Sequence, residues 1–440
     1  MRLEVGNIFI KDVQFGAKTE VKSGTLYVNK DELAKETGAD DRIKSVEVFL
    51  ARPGESVRII PVKDVVEPRV KVDGPGGIFP GFMTGVEQVG SGRTHVLKGA
   101  AIVTTGKIVG FQEGIIDMTG PGAEYTPFSK TYNVVVKVEP IDELKQHEHE
   151  VVVRLAGLRA SNYLGLAAKE LTPDEVLTYE TKPLLEQVAQ YPNLPKVVYV
   201  YMLQTQGLLH NTFYYGVDVK QIVPTFMYPT EVMDGAIISG NCVSACDKNP
   251  TYIHENSPVI VDLFAEHGKT INFLGCVITN ENVTLMDKER SSNMTAKLVQ
   301  FLGADAVIIS EEGFGNPDAD LVMNCNNIEK MGIKTVLITD EYAGQDGASQ
   351  SLADSTPLGD ACVTAGNANE VITLPPMDTI IGYPKVADVI AGGWGAPQTT
   401  PDGKVVDASL QADGSIITEI QAIISATNEL GYGYLTAKTI

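Results

Sequence analysis

The stretch GCVITNENVTLMDKERSSNMTAKLVQFLGADAVIISEEGFGNPDADLVMNCNNIEKMGIKTVLIT, residues 275–339, decides the fold class. GCVIT (275–279), AVIIS (306–310) and KTVLIT (334–339) are short runs rich in β-branched residues and read as strands. MDKERSSNMTAKLVQFLG and DADLVMNCNNIEKMG read as helices, each ending at a glycine, Gly303 and Gly332. Beyond them follow a helix near SQSLAD, the strand EVITLP, the helix KVADVIAG and a last helix over SIITEIQAIISATNEL. Strand–helix alternation at this spacing predicts an α/β fold: a mostly parallel, doubly wound sheet with helices on both faces, over residues 242–440.

In such sheets ligands sit beyond the carboxyl ends of the strands. Those ends read TNEN (279–282), SEEGFGNPD (310–318) and TDEY (339–342), so Glu281, Glu311, Glu312, Asp340 and Glu341 follow three successive strands. A single acid in such a loop can simply cap the next helix, the role expected of Asp318. The cluster is a better candidate for the wall of a site than any one member.

Upstream the character differs. Residues 1–140 read as a β-rich, barrel-like or sandwich-like domain: LEVGNIFI, GTLYVN, KSVEVFLA, SVRIIPV and TYNVVVKVEP are strands, and only DELAKE looks helical. The segments between them, DGPGGIFPGF (73–82), GSGRTH (90–95) and TGPGAE (119–124), read as glycine-rich loops. Residues 141–241 read as an α/β segment, with helices over 148–171 and 183–190 and the buried strand KVVYVYML at 196–203.

The 440-residue length fits two or three domains, and 43% apolar with 21% charged residues is ordinary for a globular chain. A formal charge of −21 argues against nucleic acid and anionic lipid surfaces as partners. No apolar run approaches the roughly 18 residues that span a bilayer. MRLEVGNIFIKDVQ lacks the apolar core of a signal peptide, so a cytoplasmic location is expected. The five cysteines (242, 246, 276, 325, 362) suit neither a disulfide framework nor a zinc motif. The chain has no GxxxxGK[ST], HExxH or GxSxG, and no GxGxxG after a strand, so no nucleotide or metal cofactor is signalled.

His147 and His149 are two residues apart in KQHEHEV, too few to share a helix face, and read as a solvated helix start. His95 follows Arg93 in the glycine-flanked GSGRTH, a place where a guanidinium could hold a carboxylate or where the chain merely turns. His210 and His254 lie on either side of Cys242 in sequence, and either could serve as an acid or base.

Cys242 follows Asn241 inside DGAIISGNCVSACDKNP, residues 234–250. A thiol there can attack the preceding carbonyl and convert the amide to a thioester, provided the bond is strained and the oxyanion is held. Gly240 permits the unusual turn. Hydrolysis of the thioester leaves an N-terminal cysteine. Removal of the Cα proton, with loss of the sulfur, leaves dehydroalanine, which hydrolyses to a pyruvoyl group. Such a ketone accepts a primary amine as a Schiff base and withdraws electrons, as pyridoxal does. Asn324–Cys325 repeats the dipeptide in LVMNCNN, read as mid-helix, where the bond is neither strained nor exposed. A rival reading pairs Cys242 with Cys246 (CxxxC) as a thiol-redox couple.

YPTEVMDGAIISGNCVSACDKNP resembles the processing site of the component B proproteins of glycine, sarcosine and betaine reductases. The likeness extends through MRLEVGNIFIKDVQFG, LARPGESVRIIPVKDVVEPRVKV, VGSGRTH, GKIVGFQEGIIDM, TYETKPLLEQ, GLLHNTFYYGVD and EEGFGNPDADLVMNC. The resemblance implies cleavage between Asn241 and Cys242, giving residues 1–241 and a piece 242–440 that begins with a pyruvoyl group derived from Cys242. It implies an oxidoreductase complex in which both pieces join a separate selenocysteine-containing subunit. That assembly binds a small amino acid or betaine and passes a carboxymethyl group to selenoprotein A. Component C then releases acetyl phosphate, and the thioredoxin system supplies electrons.

Betaine cannot condense with a ketone, and a betaine site would gain from aromatic walls, for which Tyr214, Tyr215, Phe314 and Trp394 are candidates. The reading leans slightly toward betaine or sarcosine. Arg93, His210, His254, Glu281 and Glu312 are the candidate substrate-binding residues. An unprocessed scaffold subunit of the same complex is the remaining alternative.

Overall fold

A computed structural model describes residues 1–107, 113–206, 212–239, 244–390, 398–399, 405–406, 408–431 and 436–438. KVVYVYML forms the strand Lys196–Leu203, buried from Val197 onward. Val198, Val200 and Met202 enter one apolar cluster, and Val197, Tyr199, Tyr201 and Leu203 enter another. Successive side chains of a strand point to opposite faces, so a strand covered on both sides reads as an unbroken apolar run.

This strand lies inside a seven-stranded sheet ordered Thr225–Met227, Asn272–Asn280, Lys196–Leu203, Ala306–Ser310, Lys334–Glu341, Cys362–Asn367 and Thr436–Lys438. The five central strands are parallel and the two outer strands run antiparallel. The alternating pattern thus delivers the mostly parallel sheet expected of it. Helices Leu285–Leu302 and Asn316–Glu329 contribute Ala296, Val299, Leu321, Cys325 and Ile328 to the cluster on one face. The first starts at Thr284, whose hydroxyl accepts from the Asp287 N–H, and stops at Gly303 in the left-handed conformation (φ 74°). Asn324 and Cys325 are buried within the second helix, as the sequence suggests.

The opposite face is covered by helices Thr251–Glu255 and Pro258–Glu266 and by apolar side chains of the N-terminal half, Ile59, Val62 and Val103 among them. That half is built on two sheets. One runs Gly114–Asp117, Val57–Val66, Ala100–Gly106, Tyr132–Pro140, Ile43–Ala51, and the other runs Glu175–Glu180, Arg2–Phe9, Gly92–Lys98, Arg69–Asp73. Helix Gln146–Gly165 lies against them. It closes on the sheet because Gly165 has no Cβ, which would collide with the Arg69 backbone.

Several expected elements differ. SIITEIQAIISATNEL is not a helix: Ile416–Glu419 is a strand paired with Val371–Leu374, a short 3-10 turn follows, and the rest runs on irregularly, buried to Leu430. Its β-branched run favours extended backbone, and burial on all sides offers no solvent face for a helix to present. Residues 349–354 form bends in place of the helix near SQSLAD. GSGRTH is only partly a loop, because Arg93 and His95 belong to strand Gly92–Lys98. The glycines there serve the bend before the strand, Gly90 and Gly92 both having positive φ.

The sheets are interleaved about residue 241. Lys196–Leu203 sits between strands that follow it by many residues, and Thr379–Gly382 joins Val57–Val66 in parallel. Buried polar ties cross as well: Arg69 pairs with Glu255 at 2.9 Å, the Arg58 guanidinium donates to the Pro375 carbonyl, and Thr251 donates to Asp64. A break anywhere in 240–243 is therefore expected to leave one particle. Size exclusion under native conditions should give a single peak containing both pieces, separable only in denaturant; two native peaks would contradict the interleaved topology.

Candidate active site

The connection from Lys196–Leu203 to its neighbour Asn272–Asn280 carries residues 234–250 across the sheet. Asn241, Cys242 and His210 lie outside the described residues, as does Trp394. Both flanks of the 241–242 bond are fixed. Ser239 is buried and its N–H donates to Thr251 Oγ1 at 3.1 Å. Residues 244–250 are buried throughout. They lie against the irregular C-terminal arm: the Cys246 N–H donates to the Gln421 carbonyl, Ser425 N–H to Ala245, and Thr427 N–H to Cys246.

Four of the five acids expected at the strand ends converge, buried rather than exposed, whereas Glu341 accepts from Thr364 Oγ1 of the neighbouring strand at 2.7 Å. Glu281, Glu311, Glu312 and Asp340 are all fully inaccessible. The structure adds two acids that the sequence reading did not assign to the site, Asp247 and Glu429, equally buried. Asp247 is a hub. Its oxygens accept from Ser244 Oγ (2.7 Å), Cys246 Sγ (2.8 Å), Tyr342 OH (3.1 Å) and Thr427 Oγ1 (3.2 Å). Thr427 also approaches Asp340 Oδ2 at 2.8 Å. Tyr342 stacks on Phe314 with ring centroids 4.1 Å apart.

Burial governs the protonation of this cluster. It holds the Glu281, Glu311, Asp340 and Glu429 carboxyls well above the usual range, with neighbouring carboxylates adding to the effect. Glu312 is pushed up to about 7 by burial, restrained by hydrogen bonds from the Asn249 and Gln204 N–H groups. Burial and Asp247 also push the Cys246 thiol well up, which is the reverse of the acidified thiol a redox couple needs.

His254 is fully buried and brought down to about 3 by desolvation and by Lys248, so its ring is neutral. Its Nδ1 lies 2.5 Å from the Tyr201 hydroxyl, and that phenol stays protonated, its pKa raised well up by burial. The phenol therefore donates to Nδ1, which makes Nε2 an N–H donor. That donor faces the Asn249 backbone without a well-formed acceptor among the described residues.

The remaining candidates sit elsewhere. Arg93 is half-exposed on its strand and pairs with Glu4 of the neighbouring strand at 2.9 Å, in the four-stranded sheet. His95 is buried, with Nδ1 at 2.9 Å from the Ala168 carbonyl. Tyr214 and Tyr215 both donate to Glu231. Phe314 is the only one of the four candidate rings that the described residues bring to the cluster, through Tyr342.

Asp247 stood in the quoted processing stretch and was legible as an acid, yet nothing there signals four donors converging on it. Glu429 and Thr427 were hidden by the helical reading of 415–430.

The raised Glu312 has a stability consequence. The unfolded chain loses this proton near 4.5 and the folded chain near 7, so between these values the folded state binds more protons and stability falls as pH rises. The fall from this one group is up to about 3 kcal/mol. Urea midpoints at pH 5, 6 and 7 should decline, and Glu312→Gln should flatten part of that decline; an unchanged slope would show that Glu312 ionises normally.

Comparison with known proteins follows the whole chain. The family described as glycine/sarcosine/betaine reductase component B subunits matches residues 1–438. A glycine reductase complex component B subunits alpha and beta protein of Acetoanaerobium sticklandii is 67% identical, with 100% of each chain covered. Its counterpart in Peptoclostridium acidaminophilum is 66% identical, again over 100% of each. The sarcosine reductase complex component B subunit alpha of Peptoclostridium acidaminophilum is 57% identical over 100% of each. No solved structure matches the chain.

Proposed function

The chain belongs to the glycine/sarcosine/betaine reductase component B family, an oxidoreductase complex component, and we propose on that premise that it is the self-processing, substrate-binding precursor of a glycine reductase. The observation that carries this reading is a pair of relatives that match from end to end and are each named, as one chain, for two subunits, alpha and beta. One chain becomes two subunits by a cut, and Asn241–Cys242 is the bond whose chemistry supplies one. In this reading residues 1–241 and 242–440 are those two subunits, and the second begins with a pyruvoyl group made from Cys242.

The surroundings suit such a group. The flanks of the bond are buried and tied down, and the orphaned polar atoms nearby, His254 Nε2 and Asn249 Nδ2, need a polar partner. A pyruvoyl ketone would supply an electron-withdrawing carbonyl for a primary amine. The chain's own residues do the rest. Tyr201 holds the His254 ring in one tautomer. Burial keeps several acids protonated and able to donate or relay a proton. The covered sheet edge excludes water, which strengthens each of these contacts.

Glycine is the substrate favoured here, in place of the lean toward betaine or sarcosine. The glycine reductase relatives stand at 67% and 66% identity and the sarcosine reductase relative at 57%. Arg93 is already engaged with Glu4 and is a weak choice for the substrate carboxylate. In the proposed complex a selenocysteine-containing subunit joins the two pieces, and the carboxymethyl group passes to selenoprotein A. Acetyl phosphate leaves through component C, and thioredoxin supplies the electrons.

Two measurements test this. Intact mass under denaturing conditions should show two polypeptides meeting at 241/242, the smaller blocked to N-terminal sequencing and reactive to a carbonyl reagent. Cys242→Ala should remain a single 440-residue chain and support no glycine-dependent acetyl phosphate formation in the reconstituted complex. An uncut but fully active Cys242→Ala would leave the scaffold reading in its place. Greater turnover of sarcosine or betaine than of glycine would overturn the substrate assignment.

A further inference from the structure

The hub at Asp247 has a feature that amine chemistry at residue 242 does not use. One ligand atom from each of Cys246, Asp247 and Asp340 lies within 4.8 Å of the others, and all three side chains are fully buried. Asp340 Oδ1 and both carboxylate oxygens of Glu429 have no hydrogen-bond partner among the described residues. A buried carboxyl oxygen with no donor is unfavourable unless its acid is protonated or meets a cation. Three such oxygens on neighbouring acids are open to a cation.

We propose that Cys246, Asp247 and Asp340, with the neighbouring Glu429 turning in as the fourth ligand, form a site for a divalent metal ion of the zinc class. The spacing suits a small ion: bonds of about 2.0–2.3 Å in a tetrahedron set ligands roughly 3.5 Å apart. The three ligand atoms, within 4.8 Å of one another and with Cys246 Sγ 2.8 Å from Asp247 Oδ1, bracket that distance. The backbone is already fixed, because residues 245–246 are hydrogen-bonded to the arm that carries Glu429, and Asp340 is the last residue but one of the central strand Lys334–Glu341. A thiolate among oxygen ligands favours zinc over magnesium or calcium, which prefer oxygen alone. On binding, the Cys246 thiol releases its proton to solvent and the sulfur becomes the metal ligand. Thr427, between Asp340 and Asp247, then orients both carboxylates from behind.

The inference goes beyond the processing chemistry and does not depend on whether the 241–242 bond is cut. It assigns Cys246 a task of its own.

The test uses the full protein as purified, stripped with a chelator and dialysed against zinc chloride. About one zinc per chain should be retained after exhaustive dialysis. Cys246→Ser and Asp340→Asn should each weaken zinc binding by about 100-fold or more, above the loss that even an outer-shell change brings. Cobalt(II) in place of zinc should give a thiolate-to-cobalt charge-transfer band that Cys246→Ser removes while far-UV circular dichroism stays unchanged. The near-isosteric serine keeps the test usable where Asp340→Asn fails to fold. No retained zinc in the wild-type protein would overturn the proposal, as would zinc held equally by both variants, or a cobalt band that survives Cys246→Ser.

Discussion

Two neighbouring parallel strands cannot be joined by a tight turn. Lys196–Leu203 and Asn272–Asn280 are such neighbours, and the chain must leave the carboxyl end of the first and travel to the amino end of the second. Every distinctive feature of the molecule depends on that long crossover. It supplies the outer strand Thr225–Met227, residues 234–250, and the helices Thr251–Glu255 and Pro258–Glu266 that cover one face of the sheet. At the carboxyl edge residues 244–250 meet the loops after two other strands, through Glu312 and Tyr342. The Asn241–Cys242 bond thus falls in a connection, where backbone can break without removing a rung from the central sheet.

The same edge gathers charge in a place from which water is excluded. Burying a carboxylate costs more than a neutral acid, so the cluster shifts toward protonation wherever donors are too few. The donors are unevenly shared. Asp247 has four, Glu312 has two backbone N–H groups and a threonine, and Glu429 has none among the described residues. A wholly structural cluster would be expected to satisfy its members more evenly, since buried polar groups are nearly always paired. The uneven pattern marks the edge as a place built for something besides stability.

Much of this was legible in the sequence, for definable reasons. Strands covered on both faces announce themselves as apolar runs, and KVVYVYML, AVIIS and KTVLIT were found where the chain places them. The acids after them were readable as a site wall because parallel sheets put ligands at that end. What the sequence concealed was long-range. Nothing local to SIITEIQAIISATNEL says that it pairs with Val371–Leu374 and then lies along residues 245–248. Its apolar spacing fits a helix as well as a buried arm, and tertiary contact decides between them. Arg93 failed similarly. A guanidinium beside glycines looks free in sequence, but the strand it joins places Glu4 directly opposite.

The arm also resolves a difficulty that a broken chain poses. Cleavage at 241–242 would make residue 242 a chain end, and chain ends fray unless tied down. Here the tie comes from two sources. Within residues 242–440, Cys246 and Ala245 are held by Gln421, Ser425 and Thr427. Across the cut, Thr251 is held by Asp64, and Ser239, on the other side of the bond, donates to the same Thr251. The described residues on both sides of the bond are thus anchored to one residue and one buried carboxylate. A cut between residues 239 and 244 would leave the packing of these described flanks in place, so a reactive terminus made there would not require its surroundings to be assembled again.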